Sequence, residues 1–178
     1  MTPTQAVILD RDGVINFDSS EYIKSPPEWQ PIPGSLEAIA RLHNAGISVF
    51  IATNQAGVAR GLISKESLEA IHSKMRDMIR QSGGEIRGIY QCIHHPDDAC
   101  ECRKPAPGML LQILEDAGLE PGNTPFVGDS LKDIEAAESA GCRPVLVMTG
   151  NGRTTRQKRP DLPDVYENLA DFADDFLT

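Results

Sequence analysis

Two carboxylates one residue apart, Asp10 and Asp12, close the apolar run Ala6-Val-Ile-Leu and stand directly before Gly13. In extended backbone, side chains two apart share a face, so both acids can project into one site. The glycine then lets the chain turn away sharply. Such a pair suits divalent-metal binding combined with covalent chemistry, one acid attacking and the other shuttling a proton. Taken alone, the same segment also reads as a strand followed by a common Asp-Gly turn. Three more polar groups follow in order: Thr53-Asn54-Gln55, then Arg103-Lys104-Pro105, then Gly128-Asp129 with Asp133 four residues on. On a helix that last spacing points both acids the same way. A polar strand end or a surface lysine is unremarkable singly; their joint occurrence in this order is not.

A second cluster is Cys92-x-His94-x5-Cys100-x-Cys102. In extended backbone Cys92 and His94 share a face, as do Cys100 and Cys102, which gives two pincers joined by a short loop. Three thiolates and one imidazole make a closed tetrahedral Zn²⁺ site with no open position, hence a structural one. His95 would point the opposite way. The plainer reading is three free thiols in a reduced compartment, and a disulfide is disfavoured there. The cluster ends one residue before Arg103-Lys104, so a metal would fix the loop that carries the lysine.

These groups need elements to hold them. Ala6–Asp10 and Ile47–Thr53 read as buried strands, and Gly88–Ile93, Pro125–Gly128 and Pro144–Met148 as three more. Helical patterns cover Ser35–Asn44, Ser64–Gln81, Pro107–Ala117, Ser130–Ala140 and Leu169–Leu177. Three of them stop at or just before Gly46, Gly118 and Gly141. Strands alternating with helices imply an α/β fold, a Rossmann-like parallel sheet with helices on both faces. The proline-rich stretch 18–34 should lie over one face, and the basic run 153–159 reads as a solvated loop. Ligands of open parallel sheets bind beyond the carboxyl ends of the strands. Asp10, Thr53, the Cys92–Lys104 segment and Asp129 all fall there.

Length and charge bound the function. The 178 residues suffice for one domain, 1–178, with a full core. A formal net charge of −9 argues against a nucleic-acid surface. Neither a signal segment nor an apolar run of membrane-spanning length is apparent, which predicts a cytoplasmic protein with no membrane partner.

The ordered set Asp10-x-Asp12, Thr53-Asn54-Gln55, Lys104 and Asp129-x3-Asp133 resembles the four motifs of the haloacid-dehalogenase-like (HAD) phosphatases across nearly the whole chain. The resemblance implies that Asp10 attacks phosphorus and that Asp12 protonates the leaving alkoxide, then deprotonates the hydrolytic water. Thr53 and Lys104 would bind the phosphoryl oxygens. Mg²⁺ would sit on Asp10, Asp129 and the Asp12 main-chain carbonyl, and Asp133 would orient Lys104 or a metal-bound water. The gaps between motifs are too short for the cap domain that many members insert. A small zinc-binding loop occurs in two capless groups, the heptose bisphosphate and the histidinol-phosphate phosphatases. Thr53-Asn-Gln-Ala-Gly57-Val-Ala-Arg60-Gly61 with Cys102-Arg103-Lys104-Pro105-x-Pro107-Gly108-Met109 is most similar to the former. That similarity implies removal of the 7-phosphate of a heptose 1,7-bisphosphate during ADP-heptose synthesis for lipopolysaccharide, with the anomer left open. A monomer is expected, although the sequence does not set the oligomeric state. Asp18, Ser19, Asn54, Gln55, Arg60 and Arg103 would read the small phosphorylated sugar. Histidinol phosphate or another small phosphomonoester is the alternative substrate. A receiver-type signalling domain is disfavoured, because its lysine follows a threonine on the last strand, whereas Lys104 precedes the fourth.

Overall fold

Six strands, all parallel, form one sheet in the computed structural model, which describes residues 5–178. They are β1 (Ala6–Leu9), β2 (Ser48–Asn54), β3 (Gly88–Cys92), β4 (Pro125–Gly128), β5 (Arg143–Val147) and β6 (Val165–Tyr166), in spatial order β3-β2-β1-β4-β5-β6. The helices are α1 (Ser35–Asn44), α2 (Lys65–Gln81), α3 (Gly108–Ala117), α4 (Leu131–Ala140), α5 (Gly152–Lys158) and α6 (Leu169–Phe176).

Period-two alternation divides the core. Val7 and Leu9 of β1 face one layer, with Ile39 and Leu42 of α1, Ile71 and Met75 of α2, and Phe172 of α6. Ala6 and Ile8 face the other, against Leu110 and Ile113 of α3 and Ala136 and Ala137 of α4. A strand buried on both faces must be apolar throughout, which is why β1 and β4 read as unbroken apolar runs. The stretch 18–34 does cover one face: Ile23, Trp29 and Ile32 are buried, and Trp29 belongs to the α1–α2 layer.

The basic run expected to be a loop is instead α5. Buried Gly152 and Thr155 face inward while Arg153, Gln157 and Lys158 stay outside, so one turn of small residues anchors an otherwise polar helix. The two-residue β6 also escaped the sequence pattern, being too short to show alternation. Between β1 and β2 lie only the covering stretch and α1, so no cap domain is inserted there among the described residues. No described helix is long and apolar enough to cross a membrane.

The chain moves from β1 to β2 and β3 on one side, then returns to place β4 on the other side of β1. The connections therefore diverge between β1 and β4, opening a crevice at their carboxyl ends, where parallel sheets bind ligands. Asp10 follows β1, and Asp129 follows β4.

Candidate active site

A buried lysine organises the floor of the crevice. Lys104 Nζ donates to Asp10 Oδ1 (2.9 Å), Asp133 Oδ1 (2.7 Å) and the Ala52 carbonyl (3.0 Å). Its backbone is clamped by Asn54, whose Oδ1 accepts from Lys104 N and whose Nδ2 donates to Lys104 O, both at 3.0 Å. Burial opposes the ammonium charge, but Asp10 and Asp133 outweigh it and raise the Lys104 pKa. Asp133 is drawn in by a capping box at the start of α4. Its Oδ2 accepts from Asp129 N (3.2 Å), Ser130 N (3.1 Å) and Ser130 Oγ (2.9 Å). Burial disfavours its charge too, yet Lys104 and the Ser130 bonds hold its pKa below the usual range.

Asp129 is locked from the side of β5. Its Oδ2 accepts from Asn151 N (2.8 Å) and Nδ2 (3.3 Å), and its carbonyl accepts from Thr155 Oγ1 (2.8 Å). Thr149 Oγ1 ties the same segment to the Gly13 carbonyl at 2.6 Å. Gly13 and Gly150 both have positive φ, and a Cβ on either would run into the Asp129 carboxylate. Both glycines are therefore required twice, by conformation and by space. Burial, reinforced by repulsion from Asp133, pushes the Asp129 pKa up to about 7. Burial, then Asp133, raises that of Asp10 well above the ordinary carboxyl range, against the pull of Lys104.

Oxygens of Asp10, Asp129 and Asp133 lie within 4.8 Å of one another. Both oxygens of Asp133 are taken by donors. Asp10 Oδ2 and Asp129 Oδ1 accept none of the hydrogen bonds of the described residues, whose bonds go to Asp10 Oδ1 and Asp129 Oδ2. This leaves one uncommitted carboxylate oxygen on each of two buried acids. Hard oxygen donors with too much negative charge suit a divalent cation such as Mg²⁺.

Asp12 lies beside this centre in a web of donors. Its Oδ1 accepts from Arg11 Nε (3.0 Å) and Nη2 (2.8 Å) and Asn16 Nδ2 (2.9 Å); its Oδ2 accepts from Gln55 Nε2 (3.0 Å). Burial would raise its pKa, but the Arg11 guanidinium and the Asn16 and Gln55 bonds prevail and lower it. Gln55 Nε2 also donates to Oγ1 of Thr53, which is fully buried beneath the crevice (3.0 Å).

Above this floor the crevice opens into a cavity of about 740 Å³. Asp10, Asp12, Asp18, Ser19, Asn54, Gln55, Arg103, Lys104, Asp129 and Asp133 line it. Arg103 Nη1 is buried without an acceptor. Burial, then the nearby Asp12 charge, raises the Asp18 pKa. Arg60 is absent from the wall: Arg60 N bonds Ala56 O and both Leu62 N and Ile63 N bond Gly57 O, closing a turn that leaves Arg60 exposed outside it. The expectation that Arg60 reads the ligand therefore concerns a residue outside the cavity wall. Asn54 and Gln55 line the cavity, but their amides are committed to Lys104 and to Asp12 and Thr53. Sequence reasoning passed over Arg11, Asn16, Thr149, Asn151 and Thr155. The only available signal was Gly150-Asn151-Gly152 directly after a strand, a turn at the active edge.

One loop away, Cys92, His94, Cys100 and Cys102 offer four ligand atoms within 4.8 Å of one another, and all four cysteines of the chain are free. The Sγ atoms of Cys92 and Cys102 lie 3.6 Å from that of Cys100, and His94 Nδ1 lies 3.2 Å from Cys102 Sγ. The Sγ atoms of Cys92 and Cys102 are only 2.9 Å apart, tighter than the edge of about 3.8 Å in a zinc–sulfur tetrahedron. The four ligand atoms are thus gathered at one point but packed closer than zinc would hold them. His95 is turned away and caps the next turn, its Nδ1 accepting from Asp97 N.

A HAD-hydrolase-like family model matches residues 101–172. The chain is 51% identical over 172 residues to the D-glycero-beta-D-manno-heptose-1,7-bisphosphate 7-phosphatase of Pseudomonas aeruginosa, covering 96% of this chain and 97% of that protein. It is 43% identical to the phosphatase of the same name from Neisseria meningitidis, covering 94% and 91%. The crystal structure of D,D-heptose 1,7-bisphosphate phosphatase from Bordetella bronchiseptica, complexed with magnesium and phosphate, superimposes with a TM-score of 0.95 at 49% identity, over 98% of each chain.

Proposed function

The chain belongs to the D-glycero-beta-D-manno-heptose-1,7-bisphosphate 7-phosphatase family of HAD-like hydrolases, and from that premise we propose that it removes the 7-phosphate of D-glycero-β-D-manno-heptose 1,7-bisphosphate through an aspartyl-phosphate on Asp10. The observation that carries this reading is Lys104 Nζ held between Asp10 and Asp133, with Asp129 facing them at the cavity floor. Opposed charges around one open carboxylate oxygen suit capture of a phosphate and attack upon it.

In the first step an Asp10 oxygen forms a bond to phosphorus and the bond to the C7 oxygen breaks, while Asp12 gives its proton to that oxygen. In the second, water attacks the aspartyl-phosphate, Asp12 takes its proton, and inorganic phosphate leaves Asp10. Lys104, held against Asp10, would set its charge against that developing on the phosphoryl oxygens, and Thr53, just beneath the crevice, would supply a hydroxyl donor to one of them. The carboxylates of Asp10 and Asp129 and the main-chain carbonyl of Asp12 would hold Mg²⁺, which when bound supplies positive charge against the phosphate dianion.

The sugar and its 1-phosphate would extend into the cavity past Asp18, Ser19 and Arg103. The place of Arg103 in the cavity wall supports this, since a guanidinium fork suits bidentate contact with a phosphate. Phosphate release from the β-bisphosphate, measured against the α-anomer and histidinol phosphate, tests the assignment. ³¹P NMR should show loss of the 7-phosphate alone. A higher kcat/KM on histidinol phosphate would move the assignment to that substrate. Arg103→Ala should lower kcat/KM by roughly tenfold or more on the bisphosphate and by much less on 4-nitrophenyl phosphate. Equal losses would place Arg103 at the common phosphoryl centre instead.

The Cys92, His94, Cys100 and Cys102 cluster we assign to a structural Zn²⁺, in keeping with a reducing cytoplasm where such thiols stay free. Elemental analysis should find about one zinc per chain that survives dialysis, whereas Mg²⁺ should exchange freely. Cys100→Ser should lower the Tm and, by loosening Arg103-Lys104, reduce activity. A zinc-free protein of parental stability and rate would refute the assignment.

A further inference from the structure

Arg11 is fully buried, an expensive place for a guanidinium unless its donors are used. Between two acids on one face of an extended segment, it should point away from them. Instead its side chain bends back, and Nε and Nη2 both donate to one oxygen of Asp12, at 3.0 and 2.8 Å. Asn16 Nδ2 adds a third donor to that same Oδ1. The other oxygen, Oδ2, has a single donor in Gln55. The two oxygens of Asp12 are thus unequal: Oδ1 is saturated, and Oδ2 retains capacity for a proton or a reacting oxygen.

The remaining corner of the guanidinium is also tied. Arg11 Nη1 lies 3.1 Å from Nε2 of His72, on the buried face of α2. Arginine has only donors, so Nε2 must be the unprotonated, accepting nitrogen. In accord with this, burial and then the Arg11 charge bring the His72 pKa down to about 3. His72 therefore acts as a neutral acceptor that fixes the guanidinium from behind, linking α2 to Asp12 across the layer.

Resting on the phosphatase reading above, we propose that Arg11, braced by His72, is a positioning residue that commits Asp12 Oδ1 to the interior and reserves Oδ2 for proton exchange with the leaving oxygen and the hydrolytic water. Without the brace, the Asp12 carboxyl could rotate and present either oxygen. The step that suffers first is protonation of a poor leaving group, because an activated aryl oxide departs without a proton.

The test compares phosphoenzyme formation in single-turnover reactions of the full-length, Mg²⁺-loaded protein on phenyl phosphate and on 4-nitrophenyl phosphate. This comparison does not depend on which sugar is the substrate. Arg11→Met should slow the phenyl ester at least about tenfold more than the nitrophenyl ester, lowering kcat with KM little changed. Arg11→Lys should restore part of the difference. Should Arg11→Met fail to fold, His72→Phe and His72→Gln carry the same test. The phenylalanine removes the acceptor and should reproduce the selective loss, whereas the glutamine keeps an acceptor and should rescue it. Equal losses on both esters, or a folded Arg11→Met enzyme of parental rate on phenyl phosphate, would overturn the positioning role. A parent active on aryl phosphates but inert to the heptose bisphosphate would overturn the substrate reading alone.

Discussion

Asp10→Asn should abolish turnover, by roughly 10⁴-fold or more on any phosphomonoester, while leaving a folded protein. The amide has no charged oxygen to attack phosphorus and is a poor ligand for a hard cation, so the nucleophile and one metal contact vanish together. The effect on stability should run the other way. Burial and repulsion from Asp133 and Asp129 raise the Asp10 pKa despite Lys104, so its ionised form costs folding free energy. A carboxyl whose folded pKa exceeds its unfolded value, about 3.9, destabilises the protein once pH rises through that interval. Without metal near pH 8, Asp10→Asn should melt no lower than the parent, and any advantage should narrow as pH falls towards about 4. Lys104 would keep Asp133 and the Ala52 carbonyl as partners. Substantial phosphatase activity in a folded, contamination-free variant would sink the aspartyl-phosphate mechanism. A large drop in the metal-free Tm would show that the Asp10–Lys104 pair holds the fold together.

The same residues show what a sequence discloses and what it withholds. Strand β1 is legible because a segment buried on both faces has to be apolar, and its end is legible because carboxylates cannot continue inside. Helical spacing turns Asp133 to the same side as Asp129, but which partner it meets there, Lys104, comes from the folded site. The Cys92-to-Cys102 cluster is legible because few other constraints bring three thiols and an imidazole so close together in a reduced protein. Arg11 illustrates the opposite case. Alternation sends it away from Asp12, and only the folded environment, with His72 arriving from a helix 61 residues later, bends it back. Asn54 and Gln55, expected to read the sugar, line the cavity, but their amides are committed to Lys104, Asp12 and Thr53, which is information about partners rather than positions. Helix α5 was hidden because its buried side is only Gly152 and Thr155, too small to register as an apolar stripe, although it positions Asn151 and Thr155 on Asp129.

Asp12→Asn should lower kcat by about 10²–10⁴ and, unlike Asp10→Asn, should also destabilise the protein. The catalytic loss follows from its place in both steps, since neither the alkoxide nor the water has another acid–base group supplied by the web of Arg11, Asn16 and Gln55. In the free enzyme Arg11 and those hydrogen bonds keep the Asp12 pKa low against its burial, which prepares a base. A phosphate dianion beside it must raise that pKa for it to serve first as an acid. With 4-nitrophenyl phosphate, whose leaving group needs no proton, Asp12→Asn should therefore accumulate phosphoenzyme, visible as a burst of nitrophenolate followed by slow turnover. The stability loss follows from Arg11, whose fully buried charge would lose its only carboxylate partner among the described residues, at a cost of roughly 3 kcal/mol. Because the folded pKa of Asp12 is depressed, its contribution is present above the unfolded value of about 3.9 and disappears as pH falls through the folded one. The Tm deficit of the variant should thus be full near neutrality and shrink in acid, the reverse of the trend at Asp10. A variant within a few-fold of the parent rate, with no burst, would remove Asp12 from the proton path. A deficit unchanged on acidification would mean that Arg11 is satisfied elsewhere.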